Sequence, residues 1–79
     1  MNRGTLRDLL DKEGIDPLAY DLDGRAGDDM YVLEFSDGGW AVFFSERGLR
    51  TTERRFDTED EACGHLFALL LRDRTTRRG

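Results

Sequence analysis

A chain of 79 residues is about half the length of an average domain, so it holds at most one. Its 38% hydrophobic content supports a core rather than a disordered polyampholyte, although 37% of its residues are charged and the net charge is −5. One cysteine and one histidine exclude disulfide frameworks and zinc sites built from Cys and His alone. No apolar run approaches the ~20 residues that span a bilayer, and the start of the chain has no signal-peptide core, so a cytoplasmic protein without membrane contact is expected.

The first predicted element is a helix over 5–13. Thr5 is a suitable N-cap with Asp8 in capping-box spacing, Leu6, Leu9 and Leu10 form an i, i+3, i+4 stripe, and Gly14 is placed to end the helix. Asp16-Pro17 offers a cap followed by proline at the first helical position, enough for one turn. Tyr20 and Leu22 alternate with aspartates as a short extended piece, and residues 23–29 read as a loop.

The centre reads as strands over 30–35 and 40–45, joined at Asp37-Gly38-Gly39. A two-residue turn at Asp37-Gly38 sets Phe35 opposite Trp40, Leu33 opposite Val42 and Tyr31 opposite Phe44, all on one face. Glu46-Arg47-Gly48 suits a three-residue loop with a left-handed glycine in third place. That odd count would send Phe56, at the end of a polar edge strand over 49–56, to the same face.

The last helix opens on a Thr58-x-x-Glu61 capping box with Glu59 and Asp60 at the positive end of the helix dipole. Its stripe of Ala62, Cys63, Leu66, Phe67 and Leu70 runs to about Arg72, and residues 73–79 read as a basic, flexible tail. The fold class is therefore α+β: one domain over 1–72, in the order α-β-β-β-α, with a three-stranded antiparallel meander covered on one face by two helices. The expected core is Leu6, Leu9, Leu10, Leu33, Phe35, Val42, Phe44, Phe56, Ala62, Cys63, Leu66, Phe67 and Leu70.

The element order is that of the double-stranded-RNA-binding domain, which grips phosphates with lysines at the start of its last helix. Here that position reads Thr58-Glu-Asp-Glu61, the opposite charge, so no nucleic-acid partner is expected. Asp21-x-Asp23 with Asp28 and Asp29 lacks the bidentate Glu of a calcium loop, because the twelfth position is Val32. Cys63 and His65, two apart on a helix, diverge by about 200° and cannot act as a nucleophile pair. No catalytic residue, cofactor or metal is expected. The hairpin face away from the helices carries Met30, Val32, Ala41 and Phe43, apolar where a solvent face would be polar. The sequence leaves two readings of it open: a contact face for another protein, or a surface covered by the N-terminal helix or the loop around Pro17.

The succession Tyr20-x-Leu22-x-Gly24, Trp40-x-Val42-Phe-Phe-Ser-Glu-Arg-Gly48, Phe56 and Thr58-Glu-Asp-Glu-Ala-Cys63 resembles small, mostly actinobacterial proteins of polymorphic-toxin loci, of the immunity-protein kind. The resemblance implies a non-catalytic inhibitor that neutralises a toxin domain by direct binding in the cytosol, and it transfers no functional residues. From the residues themselves, Asp21, Asp23, Asp28 and Asp29 would steer a basic partner, because residues 1–37 hold ten acids against four bases. Exposed members of the set Tyr31, Trp40 and Phe43 would anchor it, and Glu46 and Arg47 would add charge-assisted contacts at a hairpin tip. The alternative is a self-associating homodimer that uses the same apolar face.

Overall fold

Asn2, rather than Thr5, starts the first helix. In the computed structural model, which describes residues 1–78, the Asn2 side chain accepts from the Thr5 backbone N–H, and α1 runs Arg3–Lys12. An amide oxygen at the N-cap serves as well as a hydroxyl; with the helix begun two residues earlier, Thr5 lies inside it. Gly14 then takes a left-handed φ of 74°, and Asp16 caps a single 3-10 turn over Pro17–Ala19 by accepting from Leu18 N–H.

Tyr20–Asp21 forms β1, Met30–Ser36 β2, Gly39–Glu46 β3 and Leu49–Phe56 β4. They make one four-stranded sheet in the order β1-β2-β3-β4. The expected three-stranded meander thus gains a fourth strand, and that strand is parallel to its neighbour: Tyr20 pairs with Tyr31 and Asp21 with Val32. The β2–β3 register is the expected one, with Phe35 opposite Trp40, Leu33 opposite Val42 and Tyr31 opposite Phe44. Asp37 and Gly38 both have positive φ (53° and 73°), the twist that a two-residue hairpin needs.

The second hairpin corrects the expectation. Glu46 pairs with Leu49 across a two-residue turn of Arg47 and Gly48 (φ 52° and 80°), not a three-residue loop. The odd residue sits instead inside β4. Val42 pairs with Arg54 and Phe44 with Thr51, so Thr52 and Glu53 together face Phe43 in a bulge, with Thr52 at φ 53°. The bulge restores the parity that the even turn removed, and Phe56 still lands opposite Trp40 on the helix side.

The second helix, α2, spans Glu59–Arg72, with Thr58 and Glu61 forming the capping box. It packs with α1 on one sheet face around a core of Leu6, Leu10, Ile15, Leu22, Leu33, Val42, Ala62, Cys63, Leu66 and Leu70. Ile15 and Leu22 are core residues that helical periodicity did not mark. Phe35, expected in the core, is 60% exposed: β1 pairs only as far as Val32, so the outer flank of Phe35 has no neighbouring strand, and its ring leans on Trp40 at 4.9 Å. Leu9, Phe44, Phe56 and Phe67, also expected inside, are half-buried.

The opposite face holds a second small core of Val32, Ala41 and Phe43, flanked by Met30. Residues 22–29, fewer than the dozen or so that a parallel connection ordinarily needs, come close to this face. Gly24 lies beside Glu34 and Gly27 beside Met30, where a Cβ would stand 3.1 Å from the Met30 methyl. Ser45, itself buried, donates its hydroxyl to the Gly27 carbonyl. The Arg50 guanidinium lies 4.2 Å from the Phe43 ring centroid and forms a fork to both oxygens of Glu34, at 2.9 and 2.8 Å.

Residues 73–78 are docked, contrary to the expected loose tail. Asp73 caps a 3-10 turn over Arg74–Thr76. Buried Thr76 donates its hydroxyl to the Leu70 and Asp73 carbonyls, at 2.8 and 2.7 Å. Ile15 and Arg77 form an antiparallel bridge, flanked by Asp16 N–H to the Thr76 carbonyl and Arg78 N–H to the Gly14 carbonyl. Gly79, the end of that expected tail, lies outside the described residues. Among the described residues no helix is long and apolar enough to cross a membrane.

Candidate functional site

The aromatic pair Tyr31 and Phe44 stands directly opposite across β2 and β3, rings edge-on at 4.9 Å and 70°. Both are half-buried, forming the floor of an open groove of about 420 Å³ between the sheet end, the Pro17–Ala19 turn and the turn after α2. Four carboxylates line it: Asp16, Asp29, Glu46 and Asp73. Two have structural duties. Asp16 caps its turn, and Asp73 accepts from Thr75 N–H, from the Thr75 hydroxyl and, at 2.9 Å, from the Tyr31 phenol. The hydrogen bonds from Thr75, joined by that from Tyr31, hold the Asp73 carboxyl below its usual pKa. Burial, reinforced by the bond to Asp73, pushes the Tyr31 phenol up to about 12.

Asp29 and Glu46 are different. Both are exposed, and neither is in an ion pair among the described residues. Asp29 is held at a left-handed φ of 56° at the end of the 22–29 connection, which sets it at the groove beside the first residues of β2. A groove with an aromatic floor and free carboxylates at its mouth can take a cationic side chain. The ring faces attract the charge and the carboxylates accept its hydrogen bonds.

The fold thus brings Asp29, Tyr31 and Glu46 together and disperses the other six expected contact residues. Asp21 organises its own loop by accepting from Asp23 and Arg25 N–H. Asp23 is already surrounded by Arg3, Arg7 and Arg25, at 3.5, 3.9 and 3.3 Å, so its field is largely spent within the chain. Asp28 is exposed. Arg47 is exposed at the hairpin tip. Trp40 is half-buried, with the Arg3 guanidinium 5.5 Å from its ring centroid. Phe43 is 1% exposed and cannot anchor a partner. The apolar face that the sequence left open is closed by the 22–29 connection and by Arg50, not by the N-terminal helix, which packs in the opposite core, or by the Pro17 turn.

Phe44 and Asp16, read from the sequence as a core residue and a cap, belong to the groove together with Asp73, and none of the three was expected as a contact residue. Asp73-x-Thr75 is a capping signal beyond the end of the last helix, and it would have marked a turn rather than a tail. Cys63 is fully buried in the main core, where burial raises its thiol pKa, while His65 packs against Phe56 with centroids 5.1 Å apart. Compared with family models, with curated proteins and with solved structures, the chain gives no match.

Proposed function

We propose that the protein is a non-catalytic binding module that receives a basic side chain of a protein partner in the groove over Tyr31 and Phe44. One observation carries the reading: Asp29 and Glu46, free of counter-ions among the described residues, share an open mouth above an aromatic floor. Desolvated carboxylate–guanidinium pairs of this kind serve as anchors in protein interfaces. The resemblance to immunity proteins of toxin loci gives the reading its biological form, neutralisation of a toxin domain by direct binding in the cytoplasm. The acid-rich residues 1–37 support it, because such a field speeds encounter with a basic target.

The test is capture from a lysate of the native cell with the wild type and with a D29N/E46Q variant, followed by calorimetry on the purified partner. The reading expects a basic partner held by the wild type, with affinity at least about tenfold weaker for the variant. A partner bound equally well by both would move the interface away from the groove.

A further inference from the structure

A second groove, of about 320 Å³, runs between β4 and α2, and its charge is the reverse of the first. It is lined by Thr52, Glu53, Arg54, His65, Leu69 and Arg72. Neither Arg54 nor Arg72 has an ion-pair or hydrogen-bond partner for its guanidinium among the described residues, whereas Glu53, the one carboxylate present, is 3.7 Å from Arg50 and 4.0 Å from Arg55. The two arginines come from different elements and are set around the single imidazole of the chain.

The β4 bulge decides this charge. Strand residues on one face alternate, so without the extra residue Glu53 would stand opposite Val42 and face α2. With it, Arg54 takes that place and Glu53 lies outside the pairing. The bulge is held by Thr52 in the left-handed region, a costly conformation for a β-branched residue.

From this geometry we propose that the β4–α2 groove binds a phosphate monoester, with the phosphoryl dianion between the Arg54 and Arg72 guanidiniums and His65. Guanidinium forks match tetrahedral oxyanions two oxygens at a time. The adjoining hollow shares Thr52 and Leu69 with the groove and adds Tyr31, Phe44, Thr51 and Asp73. The two rings and Leu69 offer an apolar bed for the ester substituent, and the Asp73 carboxylate there is already engaged by Tyr31 and Thr75. Each arginine also carries its charge to His65, whose imidazole is held below its ordinary pKa by burial first and then by Arg54 and Arg72.

The lone histidine is its own reporter. The ring-proton shift of His65 is followed by NMR at fixed pH and constant ionic strength, with sodium chloride as the reference, while sodium sulfate or phenyl phosphate is added to the full chain. The proposal expects a saturable shift with both anions and tighter binding of phenyl phosphate. R54Q and R72Q should each weaken phenyl phosphate by about tenfold or more, while R47Q, which removes the same charge from the exposed β3–β4 turn outside the groove, leaves it unchanged. A shift no larger than that of chloride, or an equal loss in R47Q, overturns the site. Equal affinity for sulfate and phenyl phosphate overturns the ester assignment.

Discussion

The two faces of the sheet close by different means. On one, α1 and α2 lay leucines across Leu33 and Val42, and ten residues seal a continuous core. On the other, three buried residues lie beneath a short connection and one arginine, with a guanidinium over a phenyl ring where the first face has a helix. Regular elements bury area in bulk, whereas a loop and a charged plank bury it through a few specific contacts. The first face should therefore respond to volume and the second to single polar bonds.

Truncation in the helix-covered core should have the largest effect. Leu66→Ala, in the middle of α2 and fully buried, should cost about 3 kcal/mol, read as a lower urea midpoint at unchanged slope. Arg50→Ala tests the other face. It strips the fork from Glu34 and the cation from Phe43, and should cost about 1–2 kcal/mol. It also carries a pH signature. The Arg50 hydrogen bonds hold the Glu34 carboxyl below its usual 4.5, so their contribution is present above that value and fades as pH falls through the depressed one. The gap between the acid unfolding curves of the wild type and Arg50→Ala should narrow at low pH to what the Arg50–Phe43 contact contributes; a constant gap would deny the Glu34 pair its role.

Thr52→Gly should act in the opposite direction. It relieves a left-handed β-branched residue and should stabilise the protein by about 1 kcal/mol, while the larger freedom of the unfolded chain trims the gain. Loss of stability would show that the Thr52 side chain holds the bulge. For the Tyr31–Asp73 bond the sign follows from a raised phenol pKa: its stabilisation is complete below the ordinary value near 10 and is lost as pH climbs toward 12. Tyr31→Phe should flatten the alkaline limb of a melting-temperature profile. The smallest effect on stability belongs to Asp28→Asn with Asp29→Asn, expected to stay within about 0.5 kcal/mol because both are exposed. Association with a basic partner should nonetheless slow at low salt in this variant; unchanged rates would remove the steering role.

How much of this was legible in the sequence divides along the same line. The capping box of α2, the leucine stripes and the β2–β3 register depend on neighbours along the chain or on a two-residue turn, and all three could be placed from residue types. The even turn at Arg47-Gly48 and the bulge at Thr52 could not. Turn and bulge give the same parity for Phe56, so the pattern of apolar residues is blind to which of them supplies the odd residue. The lid over Phe43 was hidden because Gly24 and Gly27 act through lack of bulk, leaving no apolar signal. Of the groove, Asp29, Tyr31 and Glu46 were named for charge and ring, and the expected β2–β3 register already carries Asp29 toward Glu46 on the side of Tyr31 and Phe44. The wall from the Pro17–Ala19 turn was not legible, because it depends on β1 lying parallel to β2, which a two-residue strand does not announce. Asp73 was missed because a helix stop followed by arginines reads as a loose end.

That last segment governs how the protein can be handled. Residues 74–78 form a buckle that joins the exit of one helix to the turn after the other, with Thr76 as its pin and the Arg78 guanidinium reaching the Asp11 carbonyl and carboxylate. Clipping the chain after Arg72, as its composition invites, would undo the buckle and bare Ile15 to water. An affinity handle spliced there would work against the fold it was meant to help purify.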